Sequence, residues 1–540
     1  MNLVQQKLLG AILSLRKGAD ANLPGSPDEV ASELIDGRIE VHDRHHFEVK
    51  LDYSIDPGRA QNRYRVEAYF FTPQSLGITP ETYPKQRFYN DIQAYIRFKT
   101  PAVPLATLLL PDEGASPLAR LERILPTLVS QPRGKAEWER ISHEMRFLGC
   151  LVRSHIRDRV AQTCELVDGL GGAGAWTAPA LADIRAETVR LVQESRAVME
   201  RYRALRVHLQ GPVVPGWIRE THAYVDEYLG IVTENYLSRL VQIIDEKPLP
   251  DEGLAAARTA LRQGILAEQE HREKARYPSA IEPDGGMQYV FRRGLLKKFV
   301  MSVLFLEISK DPEGRRWSDL FSAIAAGIAM LVATVGGVWV QQRYLTTTWP
   351  FIATIVLLYM VKDRLKEWLR SFFTRKMTRF LADYSVRIRD SHRGIDIGRC
   401  REAFMFLRPE QVPPEVVALR HRSAQATIEP LSKPESVIKY EKEITLGGKA
   451  VAKLGGLHHE INDIIRFNLA HFLVQADDPV TPVMVFQRSR DRVEEVLCPK
   501  VYHLNVVFVL RAEDERRPPL TEHVRVVIDK RGIRSLEHRT

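Results

Sequence analysis

The sequence carries no catalytic signature. Its four cysteines, Cys150, Cys164, Cys400 and Cys498, lie far apart and form no C-x-x-C pair. This spacing argues against a disulfide scaffold or a zinc ribbon, and points to a reducing compartment. No G-x-S-x-G elbow occurs, and the S-x-x-K strings at Ser14–Lys17 and Ser436–Lys439 lack their companion motifs. Gly447-Gly448-Lys449 is no phosphate loop: Glu443 stands where the first glycine belongs, and Ala450 where a Mg²⁺-holding Ser or Thr would be. The glycine-rich stretch 169–174 follows no strand, so it reads as a linker between helices. The first twenty residues hold only a short apolar stretch, Leu8–Leu15, without an A-x-A pattern. A short amphipathic helix is expected there, not a signal peptide.

What is present is an ordinary balance for most of the chain. Apolar residues make up 44% and charged residues 27% of 540 positions, enough to bury cores in roughly two to four compact units. Arginine outnumbers lysine by 56 to 21 within a net charge of +9, a bias that fits a GC-rich bacterial genome. The exception to this balance lies in the middle.

Residues Leu320–Gln342 form 23 positions without a charge. As a helix they extend about 34 Å, enough for a hydrocarbon core of about 30 Å. After Arg343 a second uncharged run, Tyr344–Val361, follows. Its strongly apolar part begins only at Trp349, so it reaches spanning length only by including Leu345 and Thr346–Thr348, or by snorkelling of its flanks. Either two spans or one span with a re-entrant segment satisfies this pattern. Basic residues flank the pair on both outer sides, including Arg315 and Arg316 before it and Lys362, Arg364, Lys366, Arg370, Arg375 and Lys376 after it. The positive-inside bias places both termini in the cytoplasm of a bacterial inner membrane. Ala325, Ala329, Ala333 and Gly337 recur every four residues. Such a stripe lets helices approach closely, either the chain's own second run or a second copy in a homo-oligomer. Helical spacing continues from Val361 to Leu381, predicting a basic amphipathic juxtamembrane helix over 362–384.

The expected fold class is α+β with a two-helix transmembrane hairpin, an N-terminal β-hairpin with a helical bundle, and a C-terminal α+β domain. In residues this gives an N-terminal segment at 1–37, a small β-rich subdomain at 38–110 and a cytoplasmic bundle at 116–310. The hairpin at 317–361, the juxtamembrane helix at 362–384 and an α+β domain at 385–540 follow. Alternation at Phe47–Ile55 and Tyr64–Phe70 predicts two strands paired antiparallel. Residues 81–101 look helical in their middle. Long helices are expected around Trp138–Ile156, Leu181–Leu209, Trp217–Ile244 and Glu252–Arg276. Strands are expected at Ser385–Arg389, Ala403–Leu407, Val437–Ile444, Tyr502–Leu510 and Val524–Ile528, and a helix over 458–478, on the spacing of Ile461, Ile465, Leu469 and Phe472.

Three histidine groups draw attention. His42, His45 and His46 surround Asp43 at a strand entrance and read as an exposed loop. His458, His459 and Glu460 resemble a metal-peptidase helix only loosely, because Asp463 replaces the second histidine of H-E-x-x-H. They are the weak metal candidates. The turn at 391–400 gathers His392, Arg393, Asp396 and Cys400 around a glycine, where a phosphate contact is conceivable. No cofactor is expected. The expected role is a non-enzymatic scaffold or sensor, anchored in the lipid bilayer, whose cytoplasmic domains bind a partner protein or ligand. The alternative is a membrane-tethered enzyme, such as a metal-dependent hydrolase, with its site between the cytoplasmic regions. Basic clusters that flank the apolar runs, without interleaved aromatics, argue against nucleic acid.

Overall fold

In the computed structural model, the described residues are 35–111, 114, 116–128, 134–172, 178–246, 251–279, 285–343, 349–377, 382–422, 435–453, 460–512 and 519–539. Alternating sequences form β1 (Ile35–Val41), β2 (His46–Ser54) and β3 (Asn62–Pro73). A short helix, α1 (Lys85–Asp91), runs straight into β4 (Ile92–Phe98), and α2 (Leu105–Leu108) follows. The expected strands 2 and 3 both exist, but they do not pair with each other. β2 lies between β1 and a later strand, β9 (Glu460–Asn468), in a four-stranded sheet ordered β1-β2-β9-β4. β3 belongs to a different, eight-stranded sheet. Alternation fixes which face of a strand turns inward but not its neighbour, and the connection at 55–61 is long enough to cross between two sheets.

A helical region comes next: α3 (Pro117–Leu128), α4 (Lys135–Gly172), α5 (Ala178–Ala204), α6 (Gly216–Glu246), α7 (Asp251–Ala275) and α8 (Gly285–Met301). Trp138, Ile141, Met145, Leu148, Val152 and Ile156 all turn their face of α4 into the core. Gly149 admits the close approach of α8, since a Cβ there would meet the Val300 side chain at 2.8 Å. Polar pairs tie the helices together. The Arg203 guanidinium bonds Asp226 at 2.8 Å and Glu268 at 2.7 Å, and Arg292 bonds Glu227 at 2.6 Å.

His222 of α6 is stacked on Tyr202, ring centroids 4.5 Å apart, with Nε2 3.0 Å from the Tyr202 carbonyl. Burial lowers its pKa, against the opposing pull of that carbonyl and Asp226. The folded protein therefore resists a proton that the unfolded chain accepts near pH 6.5. Stability contributed here is full above that pH and falls as acid approaches the depressed folded value. Denaturation at pH 7.5 and 5.5 should show the bundle weaker at 5.5, and His222→Gln should lessen the difference.

After β5 (Glu307–Pro312) come α9 (Glu313–Arg343) and α10 (Trp349–Met377), then β6 (Tyr384–Asp390) and β7 (Ile395–Leu407). The remaining elements are α11 (Pro414–Arg422), β8 (Glu435–Leu446), α12 (Gly448–Ala452), β9, an exposed ribbon of β10 (Val480–Gln487) with β11 (Arg492–Pro499), β12 (Tyr502–Ala512), β13 (Leu520–Asp529) and β14 (Gly532–Arg539). The segment expected as a helix over 458–478 is instead strand β9 followed by a short 3₁₀ turn at Ala470–Leu473. Ile461, Asp463, Ile465 and Phe467 all point inward. A buried carboxylate in the middle of that alternation hid the period of two.

The large sheet is ordered β14-β13-β12-β3-β8-β7-β6-β5, so N-terminal β3 sits between C-terminal β12 and β8. The inner faces of the two sheets stack on each other. Phe467 of the smaller sheet lies 5.1 Å from Phe70 and 6.2 Å from Tyr440 of the larger, and 5.0 Å from its neighbour Phe47. Burying a ring of this size is worth about 1.5–3 kcal/mol. The fold is thus a mixed α and β one, a two-sheet sandwich with a helical bundle and a helical pair.

That pair, α9 and α10, packs antiparallel. Phe321 stacks on Phe373 at 5.7 Å, and a Cβ on Gly336 would meet Leu358 at 2.7 Å. Among the described residues, α9 is the one helix long and apolar enough to cross a membrane, over Asp319–Arg343. The two contacts also fix a register, which places Lys362 beside the middle of the uncharged run of α9 and Arg370 near Ile324.

Candidate functional site

The sites singled out from the sequence are scattered. Ala325, Ala329 and Ala333 are 0%, 1% and 8% exposed on the face of α9 that meets α10. Gly337 lies off this seam, with nothing within 4 Å of where a Cβ would sit, and Gly336 takes the close contact instead. The helix expected over 362–384 is the continuation of α10 as far as Met377, and Tyr384 already opens β6. On it Arg364, Lys366 and Arg370 are exposed. Lys362 reaches back over the Tyr359 ring at 4.2 Å. The side chains of Arg375 and Lys376, like His458 and His459, lie outside what is described. Glu460 opens β9 and pairs with Lys99 at 2.5 Å. Among the described residues, no group of three or more His, Cys, Asp or Glu is placed to hold a metal ion.

At the other histidine loop, Asp43 accepts hydrogen bonds from the His45 and His46 amides at 2.8 and 2.9 Å, and its Oδ1 lies 2.8 Å from His46 Nδ1. Partial burial alone would raise its pKa. These bonds and the nearby imidazole overcome that and hold it at about 2. The arrangement is a turn cap.

Two polar groupings remain, one closed and one open. The closed one lies between the sheets. Lys442 of β8 is fully buried and 2.6 Å from Asp463 of β9, with Glu402 of β7 at 3.9 Å. The Tyr53 hydroxyl donates to Asp463 at 3.3 Å, and Lys310 of β5 lies 3.8 Å from Glu402. Burial works against the Lys442 ammonium. The Asp463 and Glu402 carboxylates outweigh it and push the lysine above its ordinary range. Beside them Cys400 and the Tyr440 hydroxyl are fully buried, and burial raises both. Lys442, Asp463 and Glu402 are 0%, 0% and 2% exposed, so the cluster is a contact between the two sheets and not a site open to substrate.

The open grouping is a cleft of about 500 Å³ on the outer face of the large sheet. Strand register builds it. Arg63 of β3 pairs with Thr445 of β8, which pairs with Arg399 of β7, which pairs with Arg387 of β6. Period-two alternation then turns this whole row outward. Arg401 follows two residues on, and Asp396 stands at the rim. A register shift between Ile388 and Arg389 sets Ile397 as the extra residue, which bends the ladder and re-aims its side chains. Gly398 is required at the bend, because a Cβ there would collide with the Thr445 carbonyl.

Of the turn residues picked out at 391–400, only Asp396 lines the cleft. His392 packs toward the bundle, 5.3 Å from His143, and Cys400 points into the core. The arginines were missed. Their signal was an Arg-x-Arg repeated in three alternating strands, Arg63/Arg65, Arg387/Arg389 and Arg399/Arg401.

Comparison of the chain with protein families, with curated proteins and with solved structures finds no match.

Proposed function

We propose that this chain is a bacterial inner-membrane protein in which the α9/α10 hairpin anchors a cytoplasmic sandwich and bundle that bind a partner or sense a ligand, as a non-enzymatic scaffold or sensor. One observation carries the reading. The hairpin is apolar on the outside: alanines fill its seam, while Leu331, Val335, Trp339, Ile352, Val356 and Leu357 point away from the protein. A water-soluble pair would bury these residues instead. In lipid, small residues at the contact and large ones outside are the stable arrangement.

The register limits how deep the hairpin sits. Ionised side chains at mid-bilayer are costly, so Lys362, Arg364, Lys366 and Arg370 mark the headgroup level. The segment above them, Trp349–Val361 of α10, rises about 20 Å, less than the ~30 Å core. The hairpin therefore enters from the cytoplasmic side and returns to it, with Trp339, Trp349 and Arg343 near its tip, where the long Arg343 side chain snorkels toward the far headgroups. The lower part of α9, from Leu320 to Ile328, stays at or below the headgroups.

Two measurements test this. Alkaline carbonate should leave the protein in the membrane pellet; release into the supernatant ends the anchoring idea. In reconstituted vesicles, an impermeant thiol reagent added from the cytoplasmic face should label single cysteines at 320, 324 and 328 and spare those at 335, 352 and 356. Equal protection of both groups would mean that α9 crosses completely and the shallow insertion is wrong.

A further inference from the structure

We propose that the arginine-lined cleft binds a compact, multiply charged phosphate ligand, a polyphosphate or an ester carrying at least two phosphate groups, from the aqueous side. The outer face of the large sheet shows why. Near the end from which α9 leaves, that face is apolar and covered: Tyr69, Phe71, Val437, Val507 and Val509 form a buried cluster with Val416 of α11. In the rows beyond, bases meet acids. Lys439 meets Glu67 at 2.7 Å and Glu441 at 2.8 Å, and Arg65 meets Glu441 at 3.5 Å. In the last row this matching stops at β7 and β6. Arg399 and Arg387 share that row with Thr445 and with Arg63, which donates to Gln61 at 2.9 Å, and Asp396 at the rim is the single carboxylate among the described residues that line the cleft.

Arg387 and Arg399 stand directly opposite each other across β6 and β7. Among the described residues neither has an ion-pair partner. Like charges so placed weaken a sheet, and Asp396 is engaged with Arg389 at 3.8 Å. A bound anion would turn this repulsion into a clamp, because guanidinium groups grip phosphate oxygens in pairs. The volume is in the range of small-molecule sites, about 300–1,000 Å³. Among the described residues no aromatic ring lines the cleft, so they offer nothing for a base to stack on and the phosphates themselves are the recognised part.

The cleft lies at the end of the sheet opposite the hairpin. β5 ends at Pro312 beside Tyr384, whereas Asn62, Leu446 and Gly398 share the far edge. A soluble anion therefore reaches it more readily than a lipid headgroup does. This choice of source rests on the hairpin reading above, but anion binding itself does not.

The test uses the full chain in phosphatidylcholine nanodiscs, with inorganic pyrophosphate as the probe in calorimetric titration. Pyrophosphate should bind, weaken with added salt, and raise the melting temperature. Arg387→Glu and Arg399→Glu should each weaken binding by about tenfold or more, while Arg488→Glu on the distant ribbon leaves it unchanged. Without ligand, Arg399→Gln should melt no lower than the parent, showing that the loss is not misfolding. No binding, or binding that both charge reversals leave intact, overturns the site. Binding seen only when a phosphoinositide is built into the disc overturns the aqueous source while leaving the arginine site. Displacement by a short oligonucleotide far below the pyrophosphate concentration would assign the cleft to nucleic acid instead.

Discussion

Lys442→Met should loosen the sandwich more than any other single change. The substitution leaves Asp463, 2.6 Å from the lost ammonium and fully buried, without its cation, and among the described residues it leaves Glu402 with Lys310 alone, at 3.8 Å. Removing one partner of a buried pair typically costs about 3–5 kcal/mol, because the abandoned charge has no water to turn to. Hydrogen exchange of the amides of β8 and β9 reports the local opening free energy and should show that loss. Adding Asp463→Leu to the same chain should recover most of it, since the isolated charge is the damage and the pair itself contributes little. A loss below about 1 kcal/mol in the single variant would end the idea that the buried carboxylates need their cation.

The second large effect is expected at Ala329→Leu. Ala329 is 1% exposed in the seam between α9 and α10, and extra methyl groups there force the helices apart at about 1–3 kcal/mol. Spin labels beside Phe321 and Phe373, whose rings stack at 5.7 Å, should move apart in the variant. The detergent-solubilised particle should keep its mass in light scattering. A fall in mass with the label distance unchanged would show that the alanine stripe joins separate copies of the chain rather than the two helices of one.

The helices were legible because their cores repeat at a single period over many turns, as from Trp138 to Ile156. Strand positions were legible where alternation was unbroken, as in β2, or where a run of β-branched and aromatic residues was long, as in β12. Strand partners were not. β2 and β3 follow each other in the chain yet serve different sheets, since pairing depends on contacts hundreds of residues away, such as Tyr53 with Asp463. β9 was misread for a local reason: Asp463 occupies a core position that simple patterning assigns to an apolar residue, and only Lys442 on another strand makes that position tolerable. The arginine cleft is a similar case. Each Arg-x-Arg looks like the polar face of an ordinary strand, and its meaning appears only when register lines up Arg63, Arg399 and Arg387. The register of α10 against α9, which brings Phe321 to Phe373 and Gly336 to Leu358, is likewise something neither run reveals alone.

The hairpin is hung from two neighbouring strands. β5 runs into α9 and α10 returns into β6, and these strands pair over Glu307–Pro312 and Tyr384–Arg389. A pull along them therefore loads the whole β6–β7 ladder at once, from Tyr384 to Asp390, so its hydrogen bonds share the strain instead of parting one after another. Lys310 sits on the strand that takes this load and touches Glu402, the outermost acid of the buried cluster. With the hairpin in a bilayer as proposed, tension would reach Glu402 by two routes, along the β6–β7 ladder and through the Lys310 side chain.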